Sequence, residues 1–339
     1  YCYISALPSW MKPKKSRNIP SQRKLGNLVI GGKLPWQAWI YREETFGDAS
    51  PNSRPDVPGG KPGKPWIWKE WKCRCFGTLI SRNTVVTSAG CIESEQLDDE
   101  DCKWFVTKPE RCFSKMHNTW WSKAQPPKKR VELLKSAKRY RVVLGKRLYR
   151  KKKQLITNNP KKREVKRIFV HPNYGYDKSR NDIAILKLKK TLKSYSSSIR
   201  PACAPQITNW KTGKTMKPYL NDCYMTGGKW ISKKSIAPAW TRITVRNLKK
   251  CKKTFKDKNA ALHDRYHICA GNPNKVNKND AEMWDGGSGL VCVVKEKRKE
   301  KVNFAGIFQF AHKKSPGVYT NANEFSNRML LRLALWGKI

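Results

Sequence analysis

The sequence predicts an all-β fold closed by one C-terminal helix. Short β-branched runs recur with Gly, Pro and Asn between them, which is the pattern of a barrel or sandwich. Only the last stretch, residues 324–336, changes to helical spacing, with Phe325, Met329, Arg332 and Leu333 repeating along it.

Residues 1–28 form a basic leader, because 8–28 contain Pro and Ser and have no periodic apolar face. The folded part, 29–339, starts near Val29. Its strand candidates are, in order, Trp36-Gln37-Ala38-Trp39-Ile40, Gly77-Thr78-Leu79-Ile80, Thr84-Val85-Val86-Thr87, Tyr140-Arg141-Val142-Val143-Leu144 and Asp182-Ile183-Ala184-Ile185-Leu186. Residues 51–64 read as a Pro/Gly loop, and about 92–138 as a long insertion holding Cys102 and Cys112.

The 339 residues carry 72 Lys and Arg against 25 Asp and Glu, a net charge of +47 that excludes a charge-balanced housekeeping domain. With 38% hydrophobic residues and 14 Trp, the chain still has enough apolar mass to build a core. No apolar stretch approaches the roughly 18 residues of a membrane span. The chain begins at Tyr1 without the apolar run of a signal peptide, consistent with a leader already removed. Eleven cysteines are too scattered for a zinc module, and Cys73-Arg74-Cys75 is not a CxxC pair. Their dispersal points to a disulfide framework and an oxidising compartment, and the odd count leaves one cysteine free or paired between chains.

Five collinear segments carry a specific resemblance: Val29-Ile30-Gly31-Gly32 with Pro35-Trp36-Gln37, Cys75 to Cys91, His171-Pro172-Asn173-Tyr174 leading into Asn181-Asp182-Ile183-Ala184-Ile185-Leu186, Trp284 to Cys292, and Pro316-Gly317-Val318-Tyr319-Thr320. Together they resemble the trypsin/chymotrypsin serine protease family, which implies two packed six-stranded antiparallel β-barrels. That family cleaves peptides with a serine nucleophile, a histidine base and an aspartate that orients the histidine. Here Thr87-Ser88-Ala89-Gly90-Cys91 puts Gly90 at the histidine position. Counting back from Cys292 puts Gly286 at the serine position, and Asp182 alone remains of the triad. Glycine supplies neither a nucleophile nor a base, so the resemblance implies a non-catalytic homologue. Ser288 as a shifted nucleophile has no imidazole at Gly90 to activate it. His117, His171, His263, His267 and His312 read as surface or packing residues.

The resemblance also implies a decayed substrate pocket. Trp284 stands at an oxyanion-hole glycine, and Gln309-Phe310-Ala311 replaces the strand lining the specificity pocket. The disulfide bracing that pocket is lost, with Glu282 at one of its cysteine positions. Asp280 matches the pocket-floor aspartate, and reads equally well as a solvated loop carboxylate beside Lys278. No Arg or Lys directly precedes Val29 as an activation site, and Asp285 stands where the freed amino terminus would pair. Implied disulfides are Cys75–Cys91, Cys223–Cys292, Cys251–Cys269 and Cys2–Cys203, with Cys102–Cys112 as a guess and Cys73 left over.

Basic runs cover the chain, notably Lys146, Arg147, Arg150, Lys151, Lys152 and Lys153, then Lys161, Lys162, Arg163, Lys166 and Arg167. Any one run reads as a solvated face, but a total of +47 makes polyanion binding the economical reading. The expectation is therefore a secreted, catalytically inactive serine protease homologue of arthropod type. It would act by binding, as regulator, cofactor or decoy in an extracellular cascade, with no cofactor and no metal. Its partner would be an acidic protein, a sulfated glycan or an anionic cell surface. A degenerate but active trypsin-like endopeptidase is the first alternative, and a polyanion or nucleic-acid packaging protein the second, although no nucleic-acid-binding motif is visible.

Overall fold

The computed structural model describes residues 27–28, 34–48, 66–93, 134–151, 154–158, 160, 162–171, 173–174, 180–205, 222–232, 235–255, 262–271, 286–296, 299–311 and 316–336. Its strands are β1 (Asn27–Leu28), β2 (Gln37–Asp48), β3 (Trp66–Leu79), β4 (Thr84–Thr87), β5 (Tyr140–Leu144), β6 (Leu148–Lys151), β7 (Gln154–Thr157), β8 (Arg163–Val170) and β9 (Ala184–Leu188). They continue with β10 (Cys223–Ser232), β11 (Ser235–Arg246), β12 (His267–Gly271), β13 (Gly289–Glu296), β14 (Lys299–Phe310) and β15 (Gly317–Asn321). The helices are α1 (Gly90–Glu93), a 3-10 helix at Leu134–Arg139, α2 (Leu248–Phe255) and α3 (Phe325–Leu335).

Six strands close a first antiparallel barrel in the order β2-β3-β4-β9-β8-β5. Six more run β11-β10-β13-β14-β15-β12, and the pairing of β12 with β11 closes the second. The expected pair of six-stranded barrels is therefore present. Strand β1 adds to the outer side of β11, through Asn27 opposite Trp240 and Leu28 opposite Ala239. These are the last two residues assigned to the leader.

Three cores explain the apolar runs. One fills the first barrel, another the second, and a third lies between them, drawing Trp36, Val86, Ile183 and Ile185 from the first barrel and Val291, Val302 and Phe304 from the second. Successive side chains of a strand point to opposite faces, so Val85 enters the first barrel while Val86 enters the layer between. A strand buried on both faces loses polar alternation. That is why Thr84-Val85-Val86-Thr87 is buried throughout.

Disulfides join Cys75 to Cys91, Cys223 to Cys292 and Cys251 to Cys269, three of the four pairs that the resemblance implies. Cys223 and Cys292 also face each other directly in the β10–β13 register. Cys203 is disulfide-bonded, while Cys2, Cys102 and Cys112 lie outside the described residues. Cys73 is a free thiol.

Several features differ from the sequence expectation. The β2–β3 hairpin outlasts its barrel: β5 pairs only with residues 38–42 of β2, whereas β3 follows β2 to the pair Asp48–Trp66. Residues 49–65 and 94–133, which include most of the expected loop and insertion, lie outside the described residues. The basic run after Leu144 is not a loop, since β6 and β7 pair as a separate two-stranded ribbon. Helix α2 was absent from the sequence expectation. Asn247 caps it, its Oδ1 accepting from the Lys249 N–H at 2.9 Å, and Leu248, Cys251 and Phe255 face inward. Helix α3 exists as expected, and among its described side chains Leu331 and Ala334 are buried against the inter-barrel core, with Leu330 packed beside them. Arg332 lies outside that contact, its guanidinium 3.9 Å from the Trp336 ring centroid. Among the described residues, no helix is long and apolar enough to cross a membrane.

Candidate functional site

The positions that the resemblance assigns to a triad, Gly90, Asp182 and Gly286, lie where the two barrels meet. The Cys75–Cys91 bridge ties the β4–α1 turn back to β3, and Ser88 supports the turn by accepting from the Cys91 N–H at 3.2 Å. This fixes Gly90 so that its backbone N–H donates to Asp182 Oδ1 at 2.9 Å. Asp182 is buried, at 5% exposure, beside Asn181, whose backbone takes the left-handed conformation with φ of 54°. Burial pushes the Asp182 carboxyl up to about 6, only partly offset by the N–H groups of Gly90 and Ala89.

The second barrel brings Gly286 to the same place. Its carbonyl accepts from the Phe76 N–H at 2.9 Å, while the Phe76 carbonyl accepts from Thr87 Oγ1 at 2.7 Å. Next to it, Gly287 has φ of +77°, and a Cβ there would lie 2.2 Å from Thr87 Oγ1 and 3.1 Å from Cys91 Sγ. Only glycine allows the 286–287 turn to press so closely on the 87–91 turn. Gly90 and Gly286 thus stand on touching turns, with Asp182 bonded to Gly90.

A hydrogen-bonded chain supports Asp182 from the pocket side. Gln309 Nε2 donates to Thr320 Oγ1 at 2.6 Å, and Thr320 Oγ1 donates to the Asp182 carbonyl at 3.0 Å. Thr320 and Thr87 were not singled out from sequence, although both sit inside the recognised motifs. Phe310 packs edge-on against Phe255, with ring centroids 5.1 Å apart, and Ala311 is buried. Asp280, Glu282, Trp284 and Asp285 lie outside the described residues.

Ser288 is fully buried, and its Oγ has no hydrogen-bond partner among the described residues. His171 Nδ1 accepts from the Asn173 N–H at 3.1 Å, and His267 Nδ1 accepts from the His263 N–H at 3.0 Å. His263 Nε2 lies 2.5 Å from an Arg180 nitrogen. His171 and His267 are buried, and His117 and His312 lie outside the described residues. No group of three His, Cys, Asp or Glu side chains is placed to hold a metal among the described residues.

The basic residues divide into two kinds. Lys146 is half-buried, its Nζ 3.9 Å from the Trp39 ring centroid, and burial lowers its pKa. Lys162, Lys166 and Arg167 are exposed, and Arg163 is half-exposed. A bulge in the β8–β9 register between Val165 and Arg167 sets aside strict alternation, so consecutive Lys166 and Arg167 both face solvent. Glu164 is the acidic residue of β8. Lys189 at 2.8 Å and Arg141 at 3.5 Å bind it, and the Lys189 hydrogen bond holds its carboxyl below the usual range. Arg147 is half-buried, and its backbone N–H donates to Asn158 Oδ1 at 2.6 Å. Arg150 and Lys151 lie on β6, while Lys152, Lys153 and Lys161 fall outside the described residues.

The sequence model of the family described as Trypsin matches residues 132–329. A venom protease of Bombus pensylvanicus is 29% identical over 169 residues, covering 48% of this chain and 63% of that protein. An ovochymase of Halocynthia roretzi is 29% identical over 168 residues, covering 48% of this chain and 10% of that protein. The chain thus spans less than two thirds of the length of these curated relatives. The family match includes Asp182 and Gly286 but begins after Gly90. The assignment of Gly90 rests on the Cys75–Cys91 bridge and the bond to Asp182. On its two closed barrels, its disulfides and this match, the chain belongs to the trypsin family of serine protease domains.

Proposed function

We propose that this trypsin-family domain is a secreted, non-catalytic serine protease homologue that works by binding polyanions. The observation that carries the reading is the backbone bond from Gly90 to Asp182, made at the place where a catalytic histidine would stand, with Gly286 on the adjoining turn. A glycine pair leaves Asp182 nothing to orient and leaves a substrate carbonyl no nucleophile. Ser288 does not replace it, being fully enclosed. The disulfides favour an oxidising compartment and therefore secretion.

Binding is favoured by the net charge of +47 and by exposed Lys162, Lys166 and Arg167 gathered at one barrel edge. In an extracellular fluid the matching chemistry is a sulfated glycan, an anionic cell surface or an acidic protein. The name of the venom protease relative favours the other reading, an active endopeptidase. Hydrolysis of Arg and Lys peptide esters separates the two. The proposal expects no turnover above a heat-treated control, and saturable turnover blocked by a serine protease inhibitor would refute it. On a heparin column the protein should be retained beyond physiological salt, and elution below it would remove the polyanion part.

A further inference from the structure

A cleft of about 480 Å³ opens on the first barrel, lined by Ser81, Arg82 and Asn83 of the β3–β4 turn and by Thr191 and Tyr195 of the segment after β9. It is built from residues other than the triad positions. Its size is that of a small-ligand site, and its walls set polar side chains beside a larger apolar surface. The two walls are pinned together: the Leu188 N–H donates to the Asn83 carbonyl at 2.8 Å and the Leu192 N–H to the Arg82 carbonyl at 3.0 Å. Asn83 is held by its own Oδ1, which accepts from Thr84 Oγ1 at 3.1 Å and Ser81 Oγ at 3.2 Å. Arg82 is exposed, and its guanidinium lies 5.5 Å from the centroid of the half-buried Tyr195 ring. Lys190 and Lys193, both exposed, flank Thr191, and neither has an ion-pair partner among the described residues.

These groups form a chemically specific set. An aromatic ring stacks against the C–H face of a sugar. A planar guanidinium donates to two oxygens of a sulfate, and ammonium groups nearby hold further sulfates as point charges. Amide and hydroxyl groups exchange hydrogen bonds with sugar hydroxyls. The exposed bases of β8 adjoin this cleft through the β8–β9 pairing, in which Val165 lies opposite Leu188 and the Lys189 N–H donates to the Glu164 carbonyl at 2.9 Å. A longer chain seated in the cleft would therefore continue along Lys166 and Arg167.

We propose that the cleft between the β3–β4 turn and residues 191–195 is a binding site for a short sulfated saccharide, with Arg82 as sulfate clamp and Tyr195 as sugar platform. This deepens the polyanion reading and rests on it. Nucleic acid is the rival occupant. It fits less well, because a single half-buried ring flanked by one arginine offers no run of platforms for successive bases.

The test is calorimetric titration of the full chain with a defined sulfated heparin-type tetrasaccharide, its desulfated counterpart and a single-stranded DNA of equal charge. Arg82→Gln should weaken the sulfated sugar roughly tenfold and reduce the slope of log K against log salt by about one. Tyr195→Leu should weaken it with no change of slope. Circular dichroism and thermal unfolding check that each variant stays folded. Unchanged binding in Arg82→Gln and Tyr195→Leu, with loss in Lys166→Gln/Arg167→Gln, would overturn the cleft and leave the polyanion reading standing. Equal binding of the desulfated sugar, or DNA binding with the same sensitivity to Arg82 and Tyr195, would overturn the ligand class. No retention of the parent on heparin at physiological salt would overturn both readings.

Discussion

Replacing Asp182 by Asn should stabilise the protein at alkaline pH and slightly destabilise it at acid pH. The carboxyl is buried and raised from 3.8 to about 6, so the folded state holds a proton that the unfolded state has released. Stability therefore falls as pH rises from about 4 to about 6 and levels off above, because the unfolded chain binds fewer protons throughout that window. The shift corresponds to a penalty of about 3 kcal/mol at pH 8. An Asn side chain removes it but has one acceptor oxygen where the carboxylate has two. It keeps the Gly90 bond and gives up about 1 kcal/mol if the Ala89 bond is lost. The net expectation is a gain of about 2 kcal/mol at pH 8 that becomes a loss of about 1 kcal/mol at pH 4. Urea unfolding of both proteins at pH 4, 6 and 8 reads this directly. An Asn variant less stable by the same amount at every pH would refute the reasoning, since the carboxylate would then be a net stabilising group.

Other perturbations have equally direct outcomes. Gly287→Ala should destabilise by about 2 to 3 kcal/mol in urea unfolding, because the new Cβ meets Thr87 Oγ1 and the Phe76 carbonyl at φ of +77°. Cys73 should resist thiol reagents at pH 8 in the native protein and react at once in denaturant, since burial pushes its thiol up to about 12. Mass mapping of the Cys73 peptide follows both rates. Lys187→Met should cost about 1 kcal/mol, because Lys187 Nζ donates to the Ala334 carbonyl at 2.8 Å and to Thr84 Oγ1 at 3.0 Å, tying α3 to the first barrel.

What the sequence reveals follows from where each segment is buried. Strands β4 and β9 lie between two cores, so their apolar runs are conspicuous in the sequence. The β6–β7 ribbon is hidden because its two strands are four residues each and set amid Lys and Arg, too short for a sustained apolar alternation. Helix α2 did carry a signal, Leu248, Cys251 and Phe255 at helical spacing, but four lysines between them obscure it. In α3 the spacing gave the helix, while the burial of Leu331 and Ala334 against the inter-barrel core is decided by contacts with β-strands that periodicity does not report. At the site, Gly90, Asp182 and Gly286 were legible because Cys91 and Cys292 anchor the count. The press of Gly287 on Thr87 and the meeting of Arg82 with Tyr195 join residues far apart in sequence, and no local pattern announces them.

Stoichiometric labelling with a fluorophosphonate, read by mass spectrometry on the intact native chain beside an active trypsin control, tests the central claim most directly. A phosphonate ester forms only on an activated serine, and Gly90 and Gly286 leave neither the activating imidazole nor the hydroxyl. The account predicts an unchanged mass for this chain under conditions that label the control completely. A one-to-one adduct on any serine, Ser288 included, would contradict it.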